Sequence, residues 1–377
     1  MPSHRESRPL RLTLMAPASA LHTVRWANAL ADRGHAVQLV SAHRAHPTLD
    51  PRVELAPLPV PPPAAYLFNV RSARRWLRQF RPDLVNAHYA SGYGTLARRV
   101  AFAPWALSVW GSDVYEFPDR SPWHRHLLRR NLRAANRVFS TSEAMARRTR
   151  WLEPALQAPV ITPFGVDTGR FRPSGHRRSG VDGRVVVGAV KALAPTYGID
   201  RLIRSFAGVF HRMQERGDRR ADGLELRIAG EGPQRDELQH LAQSLGVGDR
   251  TRFPGRIDHA EVPAFLQELD VFVALSRSES FGVAVLEASA CELPVLVSDA
   301  GGLPEVVLDN ETGRVVPGDD ERAAIENLED LVSDADQRQR FGREGRRFVQ
   351  ARYEWSDTVR TMEDAYRELL ADTSGRE

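Results

Sequence analysis

The sequence is poor in cysteine and in lysine. Cys291 is the only cysteine among 377 residues, so no disulfide can form within the chain, and a reducing compartment is expected. Lys191 is the only lysine among 52 basic residues, and all the others are arginines. An overall preference for arginine over lysine accounts for the large number of arginines. It also makes the single retained ammonium group a candidate functional residue.

Long apolar runs are missing as well. No stretch of 18 uncharged apolar residues occurs, so no membrane-spanning helix is expected. The N-terminal segment is charged and its apolar run is short, which favours a first strand over a signal peptide. With 42% hydrophobic and 27% charged residues the composition is that of an ordinary globular protein, and the length suits two domains. We expect a cytoplasmic protein, either free or at the inner face of the plasma membrane.

Charge is distributed unevenly along the chain. The net charge is only +4, but residues 1–175 contain 25 arginines against 11 acidic residues, a balance of +14. Residues 176–377 contain 27 basic against 37 acidic residues, a balance of −10. This asymmetry indicates an anionic partner for the first half, such as a membrane surface, an anionic lipid acceptor or nucleic acid. Arginine-rich helix faces that are merely solvated would give the same count.

Short apolar runs alternate with helical periodicity, and the pattern starts again near residue 185. Strands are predicted at 10–17, 35–42, 82–90 and 104–113 in the first half, and the second half repeats the alternation from 185–190 onwards. This order predicts two doubly wound, Rossmann-like α/β domains that face each other across a deep cleft. The predicted boundaries are an N-terminal domain at 1–172, a linker at 173–184, a C-terminal domain at 185–350, and a segment at 351–377 whose helix packs back on the N-terminal domain.

Two glutamates flank an apolar run that is typical of a helix start. Glu279 and Glu287 stand eight positions apart in the segment ESFGVAVLE, just after a predicted strand. Free backbone N–H groups at a helix start favour an anion, and Gly282 allows a ligand to approach the backbone closely. Glu287 can accept two neighbouring hydroxyls. A ligand with a diphosphate and two hydroxylated rings fits this pattern, namely a nucleoside-diphosphate sugar, whereas a solvated helix face is the simpler alternative.

This segment resembles the E-x7-E motif of the group 1 retaining glycosyltransferases (glycosyltransferase family 4), which have the GT-B fold. Other pieces agree with that family in order and spacing, so the resemblance covers nearly the whole chain. They are RGHAVQLVS (33–41), RPDLVNAHYA (81–90), SVWGSD (108–113), TPFGVDTGRFRP (162–173), VVGAVKALAPTYGIDRLIRSF (186–206), RIAGEGPQRDEL (227–238) and ETGRVVPGDD (311–320).

The resemblance implies roles for individual residues. Glu279 would contact hydroxyls of the donor sugar, and Lys191 would neutralise the leaving diphosphate. His88 and Asp113 lie where acceptor and donor-sugar contacts are usually found, and they complete the candidate catalytic set. The remaining expected donor-binding residues are Glu287 at the ribose, the backbone amides of Phe281, Gly282 and Val283, the glycines Gly230 and Gly232 of AGEGP, and Arg256.

Three departures from the family pattern affect these roles. The usual Gly-Gly after the first strand is replaced by the segment 18–22, which ends in His22. Trp110 replaces a histidine, so His88 and His22 are the candidates for its role. The usual arginine and lysine of the phosphate clamp are replaced by Ala189 and Tyr197. The clamp is thereby reduced to Lys191 with either Arg256 or Arg201 as a second cation.

The resemblance implies transfer of a glycosyl group from a nucleoside-diphosphate sugar, with UDP or GDP as the expected nucleotide, and retention of the anomeric configuration. The acceptor would be a saccharide, a glycolipid or a small metabolite, in the synthesis of cell-surface polysaccharide or glycoconjugate. No cofactor and no metal ion are expected, since Cys/His clusters are absent. An anionic membrane is an expected contact and nucleic acid is not. Two alternatives remain, a donor-binding but inactive partner of a second transferase and a GT-B isomerase or phosphorylase.

Overall fold

The computed structural model describes residues 8–174 and 183–374. Contacts divide the chain into two compact units, unit 1 with Met1–Pro163 and Val359–Glu377, and unit 2 with Phe164–Thr358. The first boundary lies before the residue 172 expected from the sequence. The reason is that Val166 forms a β-bridge with Glu354, and Thr168 Oγ1 donates a hydrogen bond to the same glutamate (2.6 Å). Most of the predicted linker 173–184 lies outside the described residues.

Unit 1 contains a seven-stranded parallel sheet with the strand order β3-β2-β1-β4-β5-β6-β7. The strands are β1 Arg11–Met15, β2 Ala36–Ser41, β3 Glu54–Pro57, β4 Leu84–His88, β5 Trp105–Val109, β6 Arg137–Ser140 and β7 Val160–Ile161. The helices are α1 Leu21–Asp32, α2 Ala65–Phe68, α3 Val70–Phe80, α4 Gly92–Val100, α5 Ser112–Tyr115, α6 Pro122–Ala134 and α7 Glu143–Leu152. Every residue of β4 and β5 is buried, as is typical of central parallel strands.

Unit 2 contains a six-stranded parallel sheet with the order β10-β9-β8-β11-β12-β13. The strands are β8 Val185–Val190, β9 Leu224–Ala229, β10 Thr251–Gly255, β11 Val271–Ala274, β12 Val295–Ser298 and β13 Gly313–Val316. The helices are α8 Ile199–Glu215, α9 Arg235–Ser244, α10 Val262–Gln267, α11 Val283–Ala290, α12 Glu321–Ser333 and α13 Ala335–Arg352. The long helix α8 buries an apolar face that includes Leu202, Phe206 and Phe210 in the core of this unit.

The last helix, α14 (Trp355–Ser374), begins in unit 2 and belongs to unit 1 from Val359 onwards. Tyr366 is buried in unit 1, and its hydroxyl accepts a hydrogen bond from Asn86 Nδ2 (2.7 Å). Glu363 accepts a hydrogen bond from Arg33 Nε (2.5 Å) and lies 3.1 Å from His35 Nε2. The helix is therefore an integral part of the first unit.

The two parallel sheets confirm the predicted α/β class with two Rossmann-like domains. Several details differ from the prediction. The strand predicted at 104–113 already ends at Val109, because Gly111 adopts a φ of +135° and the chain turns into α5. No described helix combines the length and apolarity needed to cross a membrane.

Candidate functional site

The loops after β8 and β11 bring together an ammonium and a carboxylate. These two strands are paired neighbours, so their carboxyl ends are adjacent. Lys191 follows β8 directly, and Glu279 lies in the loop after β11. Lys191 Nζ donates a hydrogen bond to Glu279 Oε2 over 2.5 Å, and both side chains are mostly buried. The structure therefore joins two of the residues selected from the sequence in one ion pair.

Tyr197 is a second contact of the Lys191 ammonium. The ammonium lies 4.6 Å from the centroid of the Tyr197 ring, within the range of a cation–π interaction. Tyr197 closes a 3-10 turn, and Gly198 follows with a φ of +62°. A Cβ at Gly198 would lie 1.9 Å from the carbonyl oxygen of Leu275. The turn is thus packed directly on the chain after β11, and the aromatic replacement at 197 holds the lysine.

The glycines of AGEGP pack against the Lys191 loop. A Cβ at Gly230 would lie 1.8 Å from the carbonyl oxygen of Lys191, and one at Gly232 would lie 2.3 Å from that of Leu193. Lys191 N also donates to the carbonyl of Ala229 (2.9 Å). Only glycine tolerates such close approach of two backbones. These contacts give Gly230 and Gly232 a role in positioning the Lys191 backbone.

The Glu279 loop is held by the Gly301-Gly302 pair. Gly302 N donates a hydrogen bond to the carbonyl of Glu279 (3.0 Å). A Cβ at Gly301, which has a φ of +56°, would lie 1.9 Å from that same carbonyl oxygen. The glycine pair therefore allows the loop after β12 to support the carboxylate-bearing loop after β11.

Helix α11 begins beside this ion pair. Gly282 is its N-cap with a φ of +111°, and the first N–H groups of a helix have no acceptor within the helix. A narrow pocket is lined by Lys191, Tyr197, Ser276 and Gly282, together with apolar residues of β8, β11 and α11. The side chain of Phe281 is buried and packs on Tyr353 (5.7 Å between ring centroids), so only its backbone can face a ligand.

Glu287 lies within α11 and is almost completely buried. Its Oε1 is 2.9 Å from Nε2 of His259, a residue that the sequence analysis did not select. Phe171 packs on the His259 ring at 5.7 Å. Arg256 is exposed, and within the described ranges its guanidinium has no hydrogen bond or ion pair. It therefore stays a candidate for the second cation.

In unit 1, Asp113 joins two loops. Its Oδ2 accepts a hydrogen bond from Ala90 N (2.7 Å), and its Oδ1 accepts from Trp110 N (3.1 Å) and Gly111 N (2.9 Å). Burial raises the pKa of this carboxyl, and the backbone hydrogen bonds act in the opposite direction. With its oxygens used in this way, Asp113 positions the loops that follow β4 and β5.

His88 is the last residue of β4 and is buried against Trp110, with 4.2 Å between the ring centroids. His22 approaches the same indole at 6.4 Å, and Tyr89 at 5.2 Å. Burial lowers the pKa of His88 to about 3, so its imidazole is neutral near pH 7. Trp110 and the two histidines considered for the missing role thus form one aromatic cluster.

The pKa of His88 makes the stability of the protein sensitive to acid. Between about pH 3 and pH 6.5 a proton binds His88 in the unfolded chain but not in the folded chain, so stability falls as the pH drops. Lowering the pH from 7 to 5 should reduce the free energy of unfolding of the wild type by about 2 kcal/mol more than that of His88→Asn. Denaturant unfolding at both pH values measures this difference. His126→Asn, which changes an exposed histidine, should keep the wild-type dependence, and the same dependence in His88→Asn would contradict the prediction.

Metal ligands were not expected from the sequence. Among the residues that the structure describes, no group of three or more His, Cys, Asp or Glu side chains is arranged to hold a metal ion.

Comparisons with known proteins find glycosyl transferase family models in both halves of the chain. A family model described as glycosyl transferases group 1 matches residues 173–348, and one described as glycosyl transferase 4-like matches residues 11–142. A GDP-mannose-dependent alpha-(1-6)-phosphatidylinositol monomannoside mannosyltransferase of Mycobacterium tuberculosis is 32% identical over 243 residues, which is 61% of each chain. The chain thus spans about three fifths of the length of this relative.

Two further proteins match over more of their length. A 2-deoxystreptamine N-acetyl-D-glucosaminyltransferase of Streptomyces fradiae is 32% identical over 358 residues, which is 87% of this chain and 83% of that protein. A solved sucrose-phosphate synthase from Thermosynechococcus elongatus matches with a TM-score of 0.82 at 23% identity, over 97% of this chain and all of the other. The structural likeness concerns the fold.

Proposed function

This chain belongs to the group 1 glycosyl transferases and has the GT-B fold, and from this premise we propose that it transfers a glycosyl group from a nucleoside-diphosphate sugar to an acceptor with retention of the anomeric configuration. The observation that carries the proposal is the Lys191–Glu279 ion pair beside the N-terminus of α11. A cation and free helix N–H groups favour a diphosphate, and a carboxylate favours sugar hydroxyls.

Donor binding would rearrange this ion pair. The diphosphate would take the ammonium of Lys191 from Glu279 and lie at the start of α11. The Glu279 carboxylate, relieved of its partner, would then accept hydrogen bonds from hydroxyls of the donor sugar. Glu287 would accept from the ribose hydroxyls in place of His259, whose Nε2 lies 2.9 Å from Glu287 Oε1. In this way the charges that bind the donor are already paired before it arrives.

In the transfer step, charge builds up on the diphosphate oxygen that leaves the anomeric carbon. Lys191 and the α11 N-terminus would stabilise this charge. Such electrostatic stabilisation by preorganised groups is usually the largest single contribution to catalysis. The acceptor oxygen would bond to the anomeric carbon on the face from which the diphosphate departs, so the configuration is retained. The proton of the acceptor hydroxyl would pass to the departing phosphate oxygen. Tyr197, Gly230 and Gly232 would keep Lys191 in place.

His88 and Asp113 both lie in unit 1. Asp113 fixes the loops after β4 and β5, and neutral His88 packs on Trp110 between them. We assign both residues to the positioning of Trp110 and its neighbours.

For the substrates, the name of one relative supports GDP as the nucleotide, and the names of both support a lipid-linked or a small polar acceptor. UDP is the second nucleotide that we propose to test. We propose a role in the synthesis of a cell-surface polysaccharide or glycoconjugate. Since the first 175 residues have a charge balance of +14, we also propose peripheral contact with the anionic inner face of the plasma membrane.

A thermal-shift panel of UDP-, GDP-, ADP- and dTDP-sugars tests the donor. A ligand at 100 times its Kd stabilises the folded state by about 2.7 kcal/mol, so one nucleotide should raise the melting temperature by several degrees. Lys191→Ala should lose most of this shift, whereas Arg71→Ala, an exposed change on α3, should keep it. Absence of a shift with every nucleotide sugar would contradict the proposal. Transfer by the purified protein alone excludes the inactive-partner alternative, and turnover without acceptor would indicate the isomerase.

A further inference from the structure

Two tryptophans are exposed on unit 1 although large apolar side chains are normally buried. Trp123 on α6 is 62% exposed and Trp151 on α7 is 61% exposed. Both lie on arginine-rich helices. α6 contains four arginines, two histidines and no acidic residue. Exposed apolar rings on helices that also carry many cationic side chains indicate an interaction surface.

Exposed side chains form a continuous stripe along the outer face of α6. Trp123, His126, Arg130 and Arg133 are all exposed, and their spacing of three, four and three residues places them on one side of the helix. The opposite side buries Leu128, Asn131 and Leu132. The stripe is thus fixed by the packing of the helix on the core.

α7 extends this stripe. Arg147, Arg150 and Trp151 are its exposed residues near the C-terminal end, while Met145 and Leu152 are buried. The Trp151 ring lies 4.5 Å from the guanidinium of Arg148 and 5.9 Å from that of Arg125, which belongs to α6. We define the α6–α7 surface as Trp123, His126, Arg130, Arg147, Arg150 and Trp151.

Acidic residues nearby are engaged with other arginines. Asp119 accepts from Arg125 and Arg148 at 2.9 Å each, and the buried Glu153 accepts from Arg129 (3.0 Å) and Arg133 (2.8 Å). By contrast, Arg130, Arg147 and Arg150 have no hydrogen bond or ion pair within the described part of the chain. The surface therefore presents unneutralised positive charge around two indole rings.

We infer that the α6–α7 surface docks on an anionic lipid bilayer, with the indoles of Trp123 and Trp151 at the level of the headgroups and Arg130, Arg147 and Arg150 at the lipid phosphates. Indole rings combine an apolar body with one polar N–H, and they are enriched at membrane interfaces. Arginines near an anionic leaflet each strengthen binding. This inference deepens the proposed membrane contact, and it does not depend on sugar transfer.

Vesicle binding without substrates tests the surface alone. The full-length protein is sedimented with vesicles of phosphatidylcholine and phosphatidylglycerol, and with vesicles of phosphatidylcholine only. We expect binding to the anionic vesicles, weaker at high salt because screening shortens to a few ångströms there. Arg130→Gln with Arg147→Gln should weaken it by about tenfold or more. Trp123→Gln with Trp151→Gln should also weaken it, and should remove the fluorescence quenching by lipids with brominated acyl chains.

Matched variants on another helix give the control. Arg71→Gln with Arg78→Gln on α3 removes the same charge, and Phe68→Gln removes an exposed aromatic ring on α2, so both should keep near wild-type binding. The inference would be overturned if these control variants lost as much vesicle binding as the α6–α7 variants, or if the protein bound neutral vesicles equally well. It would also be overturned if the protein bound duplex nucleic acid, with the same losses in the α6–α7 variants, and did not bind vesicles. Vesicle binding without any sugar transfer would count against the proposed reaction and not against this surface.

Discussion

Replacing Lys191 by alanine is expected to lower the turnover number by about 10²- to 10³-fold, the usual loss when one charge-stabilising group is removed from an active site. The ammonium contacts both the Glu279 carboxylate and the Tyr197 ring, near the start of α11. No other lysine exists in the chain to substitute for it. Steady-state kinetics with the donor found in the thermal-shift panel measure the effect.

Lys191→Arg should have an intermediate effect. A guanidinium is planar and wider than an ammonium, so it cannot occupy the same position beside the carboxylate and the ring. Lys191→Arg should affect folding little, because it keeps a positive charge beside the mostly buried Glu279 carboxylate. Unchanged turnover in Lys191→Ala with an unchanged melting temperature would show that the leaving diphosphate is stabilised elsewhere, with Arg256 and Arg201 the next residues to test.

The single lysine also permits a chemical check of the same prediction. An amine-selective reagent can modify only Lys191 and the N-terminal amine, and peptide masses distinguish the two. Saturating nucleotide should protect Lys191 and preserve activity. If Lys191 is modified at the same rate with and without nucleotide, and the modified protein still transfers sugar, the ammonium does not contact the donor.

Replacing Glu279 by glutamine is expected to have opposite effects on transfer and on nucleotide binding. Transfer should fall by about 10- to 150-fold, because one charged hydrogen-bond partner of the sugar is worth roughly 1.5–3 kcal/mol. The affinity for the free nucleoside diphosphate should rise instead, since Lys191 no longer has to leave a carboxylate 2.5 Å away. Isothermal titration with the nucleoside diphosphate, alongside kinetics with the complete donor, separates the two effects.

Glu287→Gln is the matched control for this experiment. It makes the same chemical change on α11, but Glu287 pairs with His259 and not with Lys191. If Glu287 binds the ribose, this variant should weaken both nucleotide affinity and transfer. Equal losses of nucleotide affinity in the two variants would contradict the separate roles of Glu279 and Glu287.

The position of these residues along the chain was predictable, but their contacts were not. The apolar runs and glycines placed Lys191 and Glu279 just beyond strand ends, which is enough to propose a ligand there. Their 2.5 Å contact additionally requires β8 and β11 to be neighbours, and strand order in a parallel sheet depends on packing between distant segments. His259 was missed for a related reason, because it meets Glu287 across 28 positions and belongs to no motif.

For some residues the sequence predicted a contact with substrate, and the structure adds a contact with the neighbouring backbone. Asp113 was expected where acceptor and donor-sugar contacts lie, and the structure adds that three backbone N–H groups donate hydrogen bonds to its carboxylate. Gly230 was expected to line the nucleotide site, and its contact with the Lys191 carbonyl is the geometric reason for a glycine there. The strands β3, β6, β7 and β13 have only two to four residues and lack the continuous run of four apolar residues that marks the equally short β11.

Helix α14 has a consequence for the order of events during synthesis. Unit 1 needs Val359–Ser374, including Tyr366 and Glu363, yet its first 163 residues are made long before that segment. At translation rates of about 5–20 residues per second the delay is about 10 to 40 s. During this interval Asn86 lacks its tyrosine partner. The first unit to be translated is therefore the last that can be completed.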